Sequence, residues 1–389
     1  MSSPVAEAEE PPPLIPPFPD DVAVNCIARV PRCFHPSLAL VSKGITSLLT
    51  STDLYAARSI LGCAESVLCI CLGFMDDPET HWYTLTRKPF RTKPPSTTTT
   101  EDPFVLVKSF VSPPRVQFGT VSVGSEIYFI GGSNGGVPTS SVSIFDFVSR
   151  TYREAPNMLM PRSIATGLFV DGKIYVAGGC KVDDWERWAE VFDLKTQTWE
   201  FVPSPSAELR QKWTTQMRSM RYKNPEFREK NVRDIALVDG KIYFLGNRNS
   251  VAYEPKEGRW EMVDDEMHIW CKGTSAVVDN VLYRFGLSGR LLWYNAMKKV
   301  WKNVKGVEEL PEGFERVLMM SHGGKLGVFW ENDWECSRRH DGYKEVWYGE
   351  IVLEGLNKDH DMIGRFHWSK SVLTVLNDYY ILESATATL

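Results

Sequence analysis

The chain has 389 residues, 43% of them apolar and 24% charged, with a net charge of −5. This is ordinary globular composition with ample material for a core, and its slightly acidic balance gives no reason to expect a nucleic-acid-binding face. Met1–Pro13 carries Glu7, Glu9 and Glu10 with no positive charge, so no secretory signal is expected; the longest apolar run, Val67–Met75, is far shorter than the ~20 residues that cross a bilayer.

In chain order, residues 1–17 are dominated by proline and acid and read as an extended tail. From 18 to 61 the pattern is helical. Asp20 and Asp21 follow Pro19 and suit a helix start, and Val22, Cys26, Ile27 and Val30 form an apolar stripe that stops at Pro31. A second helix is expected from Pro36, with the stripe Leu38, Val41, Ile45, Leu48 and Leu49. A third begins near Asp53 and carries Leu54, Arg58 and Leu61. Three short helices make a core too small to be comfortable alone, so this module is expected to lean on a partner.

From residue 66 the sequence turns β-like and repeats itself. One copy runs Gly167-Leu-Phe-Val-Asp-Gly-Lys-Ile-Tyr-Val-Ala-Gly-Gly179, then Ala189–Leu194 and Trp199. Its equivalents are Val121–Gly132 with Tyr152, Ala236–Gly246 with Trp260, Ala276–Tyr283 with Trp301, and Met320–Val328 with Trp347. The second-strand residues Tyr128, Tyr175, Tyr243, Tyr283 and Leu326 are 47, 68, 40 and 43 residues apart. A period of about 40 to 50 residues indicates an all-β propeller of four-stranded blades. Asp-Gly supplies the positive φ of a tight hairpin, the glycine pairs are expected to admit close backbone approach near the central channel, and the tryptophan fills the wedge between blades. Leu68–Phe74, Trp82–Leu85 and Val105–Val107 form a partial first blade, and Val372–Leu382 is expected to complete it and close the ring. The propeller then spans 66–387; six blades fit best, and seven stay open because Tyr380 lies a further period on.

The 68-residue interval holds an insertion. Between 208 and 233 it carries eight Lys/Arg against Glu208, Glu226 and Glu229. Two readings stand: a solvated loop, or a basic rim gripping an acidic patch on a bound protein, with Trp213 as anchor and Arg218, Arg221 and Lys223 as the charges.

Phe18-Pro-Asp-Asp-Val22, Ile27-Ala-Arg-Val-Pro31, Leu40-Val-Ser-Lys43 and Ser47-Leu-Leu49, followed by the Gly-Gly/Trp repeats, together resemble the plant F-box/kelch-repeat family over essentially the whole chain beyond the tail. The resemblance implies an all-α F-box module followed by a kelch-type propeller. It also implies docking of the module on a Skp-type adaptor that joins a cullin–RING ligase core, with the propeller selecting a target protein for ubiquitylation. Carried over by position, Pro19, Val24, Ile27, Val30, Leu38, Val41 and Ile45 are the adaptor-facing or adaptor-supporting residues. Two departures stand out: the family usually has leucine where this chain has Phe18, and a basic–aromatic–basic triplet where it has Gly44-Ile45-Thr46.

No catalytic arrangement emerges. Gly131–Gly136 has the glycine spacing of a phosphate loop but is followed by Val137-Pro138 in place of Lys-Ser/Thr. Eight cysteines without a C-x-x-C pair read as reduced thiols; Cys336 and His340 have ligand-like spacing but no second pair, so no metal and no cofactor is expected. The expected protein is a non-catalytic ligase receptor in the cytoplasm and/or nucleus, without nucleic-acid or membrane partners. The competing readings are a ligase-independent kelch scaffold and a propeller enzyme.

Overall fold

A computed structural model describes residues 19–74, 79–87, 104–180, 186–218, 232, 234–246, 250–263, 271–286, 288–308, 316–332, 342–356 and 361–389. Four short helices come first: α1 (Asp20–Ala28), α2 (His35–Leu38), α3 (Lys43–Leu48) and α4 (Thr52–Ile60). The single second helix expected from the stripe is two helices. Ser42 adopts an extended conformation and its Oγ accepts the Ile45 amide at 3.1 Å, which starts α3 afresh. Ser51 caps α4 in the same way through the Leu54 amide.

The remainder forms six four-stranded antiparallel sheets in a ring. Blade one takes β1 (Ser66–Gly73), β2 (His81–Arg87) and β3 (Phe104–Val111). Blade two is β4 (Gly119–Val123), β5 (Glu126–Ile130), β8 (Val142–Asp146) and β9 (Thr151–Ala155), with a small hairpin of β6 (Ser133–Asn134) and β7 (Val137–Pro138) between its middle strands. Blade three is β10 (Thr166–Val170), β11 (Lys173–Ala177), β12 (Ala189–Asp193) and β13 (Thr198–Phe201), followed by helix α5 (Ala207–Arg218). Blade four is β14 (Asp234–Val238), β15 (Lys241–Leu245), β16 (Ser250–Glu254) and β17 (Arg259–Met262). Blade five is β18 (Cys271–Val278), β19 (Val281–Gly286), β20 (Leu291–Asn295) and β21 (Val300–Asn303). Blade six is β22 (Val317–His322), β23 (Lys325–Asn332), β24 (Tyr343–Leu356) and β25 (Met362–Leu376).

The last strand, β26 (Tyr380–Thr388), returns to blade one and pairs with β1 from Ser66↔Thr388 to Gly73↔Tyr380. Closure therefore comes from 380–388. Of Val372–Leu382, which the sequence suggested for this role, Tyr380–Leu382 begin the closing strand, while Val372–Leu376 are the end of the outermost strand of blade six; the ring extends to Thr388. Blade one is completed on its inner, channel side, which ties the two ends of the ring together without leaving a free edge there.

The repeat chemistry explains the blades. Asp171-Gly172, Asp239-Gly240 and Asp279-Asn280 all have positive φ at the first hairpin of their blades. The glycine pairs do not serve the channel as expected. Gly131 (φ +61°) faces the connection between blades two and three, and a Cβ there would lie 2.4 Å from the Arg162 carbonyl oxygen. The fourth-strand aromatics bind each blade to the one before it: Tyr152 donates its hydroxyl to Val111 O at 2.6 Å, Trp199 its indole N–H to Pro156 O at 2.8 Å, and Trp260 to Pro203 O at 2.6 Å. Trp347 differs: it sits on the third strand of its blade and stacks on Trp330.

Candidate functional site

The helical module is built on a compact core. Ile27 and Ala28 of α1, Ile45 and Leu48 of α3, Leu49, and Leu54 of α4 are all buried against one another, with Val24, Leu38 and Ala39 half-buried around them. The seven adaptor positions taken from the sequence therefore divide. Ile27 and Ile45, each 4% exposed, are internal and shape the surface from beneath. Val24, Val30 and Leu38 are half-buried, while Pro19 and Val41 face solvent, Val41 at 67%. The structure adds Leu40, 88% exposed, beside Val41 in the break between α2 and α3. A continuous helix through 36–49 placed Leu40 off the apolar stripe, so it was overlooked. Phe34 at the end of the preceding turn and Val22 on α1 are also exposed apolar side chains of this module. Isolated exposed apolar residues are commonplace, but here two adjacent ones stand out together at an interhelix break.

The opposite end of the molecule is set by strand order. In every blade the first and third turns lie on one face of the ring, and the second loop and the blade-to-blade connection lie on the other. Ser66 begins the second strand of blade one, so the helices attach on the tight-turn face; Tyr55 of α4 packs against the buried cluster that includes Val148 and Leu389, and Thr388 N donates to Gly124 O at 2.7 Å. Apart from the β2–β3 connection, the longer loops lie on the far face. There Val137, 67% exposed on the β6–β7 hairpin, and Leu159, 48% exposed in the following connection, lie in loops joined by the Met158 N to Ser140 O bond. The basic insertion also rises from this face. Its start is helical: Ser206 accepts the Leu209 and Arg210 amides and α5 follows, with Leu209 packed on the core of blades three and four. Trp213 and Arg218 fall on α5, though their side chains, like Arg221 and Lys223 altogether, lie outside the described residues.

A central channel of about 520 Å³ runs between the innermost strands. Its lining is mostly small and hydroxylic, with two carboxylates, Asp234 and Glu383. Ser275 donates to Asp234 from both its amide and its hydroxyl. Burial pushes the Asp234 carboxyl above its ordinary range, against the pull of the Arg284 charge. Burial, and to a lesser extent repulsion from Asp234, raises Glu383 to about 7. Two carboxylates so placed could serve an acid–base reaction only with a partner group, and no cluster of three or more metal-ligating side chains exists among the described residues. Cys69 and Cys71, buried on the same face of β1, are pushed up to about 12 by burial and are inert as nucleophiles. The Cys336/His340 pair lies outside the described residues.

The geometry defines a class: a small helical module fixed to one face of a six-bladed kelch-type propeller, with most of the longer loops on the other face. The family model for the FKB95, Kelch-repeats domain matches residues 82–373. Over nearly full length the chain is similar to the F-box/kelch-repeat protein At4g39550 of Arabidopsis thaliana, 38% identical over 96% of this chain and 94% of that protein. It is also similar to the putative F-box/kelch-repeat protein At4g11750 of the same plant, 34% identical over 97% of this chain and 99% of that protein. The chain belongs to the F-box/kelch-repeat family.

Proposed function

We propose that this chain is the substrate-recognition subunit of an SCF-type cullin–RING ubiquitin ligase, acting in the cytoplasm or nucleus without chemistry of its own. The helical module docks on a Skp-type adaptor, and the long-loop face of the propeller holds the target. The mechanism is positioning: a lysine held near a charged conjugating enzyme reacts at a high effective concentration. The observation that carries the reading is the bare pair Leu40 and Val41 on a module whose own core is otherwise closed. Family membership supports the same assignment.

The test follows from exposure. Leu40→Asp with Val41→Asp leaves the folded chain intact, because neither side chain is buried, but puts two charges into an apolar interface at several kcal/mol each. Adaptor capture should fall at least about a hundredfold, which is 2.7 kcal/mol or more. Unchanged co-purification with the adaptor would remove the docking assignment.

A further inference from the structure

Residues 58 and 65 join three parts of the molecule. Arg58 on α4 is 1% exposed, and its guanidinium donates to the carbonyls of Ala28 at 2.9 Å, Val30 at 2.8 Å and Cys63 at 2.8 Å, and to Glu65 Oε1 at 2.7 Å. The Ala28 and Val30 carbonyls belong to the end of α1 and the turn after it, where no helical partner remains for them. The same Glu65 oxygen accepts the Arg32 amide at 3.0 Å. Glu65 also exchanges backbone bonds with Leu389, N to O at 2.6 Å and O from N at 2.9 Å, which extends the β26–β1 ladder one residue beyond Ser66. One residue thus holds the helical module through its carboxylate and the ring closure through its backbone.

Apart from this junction, the helices meet the propeller chiefly through Tyr55. Relative motion is the default for modules joined by a small contact, and residues 61–65 alone would be a hinge. We infer that Arg58 and Glu65 are positioning residues that lock the helical module in one orientation on the tight-turn face. The significance for ubiquitin transfer rests on the function proposed above: a target on the far face is then presented in one fixed direction from the adaptor. The locked orientation itself does not depend on that function.

Spin labels carried by a noncanonical amino acid at Asn25 and Lys195, both exposed, report the orientation in the full chain by pulsed dipolar distance measurement. The wild type should give one narrow distribution. Glu65→Ala should widen it about twofold, as expected once a small interface loses its lock. Glu65→Gln should keep it narrow, because the amide oxygen still accepts from Arg58 and Arg32. Where hydrogen exchange shows that Glu65→Ala has melted α4, Glu65→Asp replaces it; this keeps the charge beside Arg58, but the shorter side chain cannot span both the Arg58 guanidinium and the Arg32 amide. In a reconstituted ligase, mapping of self-ubiquitylated lysines should show a restricted set in the wild type and Glu65→Gln and a dispersed set in Glu65→Ala. A distribution as narrow in the folded Glu65→Ala or Glu65→Asp chain as in the wild type overturns the inference. A wild type that gives a narrow distribution yet never binds adaptor overturns the functional reading and leaves the lock standing.

Discussion

Arg162 and Glu190 are both wholly inaccessible, paired at 2.8 Å where blade two hands over to blade three. Arg162 also donates to the carbonyls of Gly178, Arg187 and Trp188, and Glu190 Oε2 accepts the Leu159 amide at 2.6 Å. With the guanidinium protons and both carboxylate oxygens engaged, the cost of burial is offset; removing one partner strands the other. Glu190→Ala should lower stability by about 3 kcal/mol, and Glu190→Gln by less because the amide oxygen still accepts, as read by denaturant melts. Equal losses would show that the charge itself contributes most. Burial also sorts the docking residues: Ile27→Asp should unfold the helical module, whereas Val41→Asp, at an exposed site, should leave its helicity unchanged by circular dichroism. In the sequence nothing marks Arg162 as buried, and Ile27 and Val41 hold equivalent places in their apolar stripes. One dimension carries no record of which side of a helix meets another.

The element that decides the ring is β26. Its start is latched to blade six: Glu331 Oε1 accepts the Ile381 amide, and Glu331 Oε2 pairs with Lys344 Nζ at 2.7 Å, both side chains being 2% exposed or less. Lys344 and Arg316 lie over the Tyr380 ring at 4.2 and 5.0 Å. Ending the chain at Asn377 should abolish the cooperative melt, since it bares β1 toward the channel and breaks the contact of blades six and one. A shortened chain that melts like the parent would mean the strand is dispensable. Lys344→Met should cost about 3 kcal/mol by leaving Glu331 buried and unpaired, and a second change, Glu331→Leu, should recover part of it in a double-mutant cycle. Val372–Leu382, the closing segment read from the sequence, spans the end of β25 and the start of β26; pattern alone found the closing strand's first residues but not the turn at 377–379 that separates it from blade six.

At the scale of the molecule, the channel carboxylates set a pH dependence. Glu383 binds its proton more tightly folded than unfolded, so between its ordinary value near 4.5 and its folded value of about 7 the native state holds more protons. Stability from this group is therefore full below the lower value and is lost as pH rises to the upper one. Glu383→Gln should remove that decline, making the variant more stable than the parent at pH 8 by about 1–3 kcal/mol and nearly equal to it at pH 4. Thermal melts across this range check it; a difference that does not change with pH would place the proton elsewhere. Asp146 and Asp361, held below the carboxylate range chiefly by burial-opposing hydrogen bonds and by Lys305 respectively, act in the opposite direction but are common to both proteins and cancel in the difference.

The fold class was legible because its signals are local and repeated: Asp-Gly turns, an Ile-Tyr strand and a late aromatic recur at blade spacing, and the helical core declares itself in the Ile27, Leu48 and Leu54 stripes. Each of these depends on neighbours within a few residues, which the order of amino acids specifies directly. What only the tertiary structure decided depends on contacts far apart in the chain. The pairing of Ser66 with Thr388 chose the closing strand, and the parity of strands in blade one put the helices on the tight-turn face, away from Val137, Leu159 and α5. Leu40 became a surface residue when Ser42 broke the helix, and Glu65 became a junction when Leu389 came alongside it. Long-range closure selects among locally equivalent segments by the burial and pairing it achieves, and that energy belongs to the assembled ring rather than to any stretch of sequence.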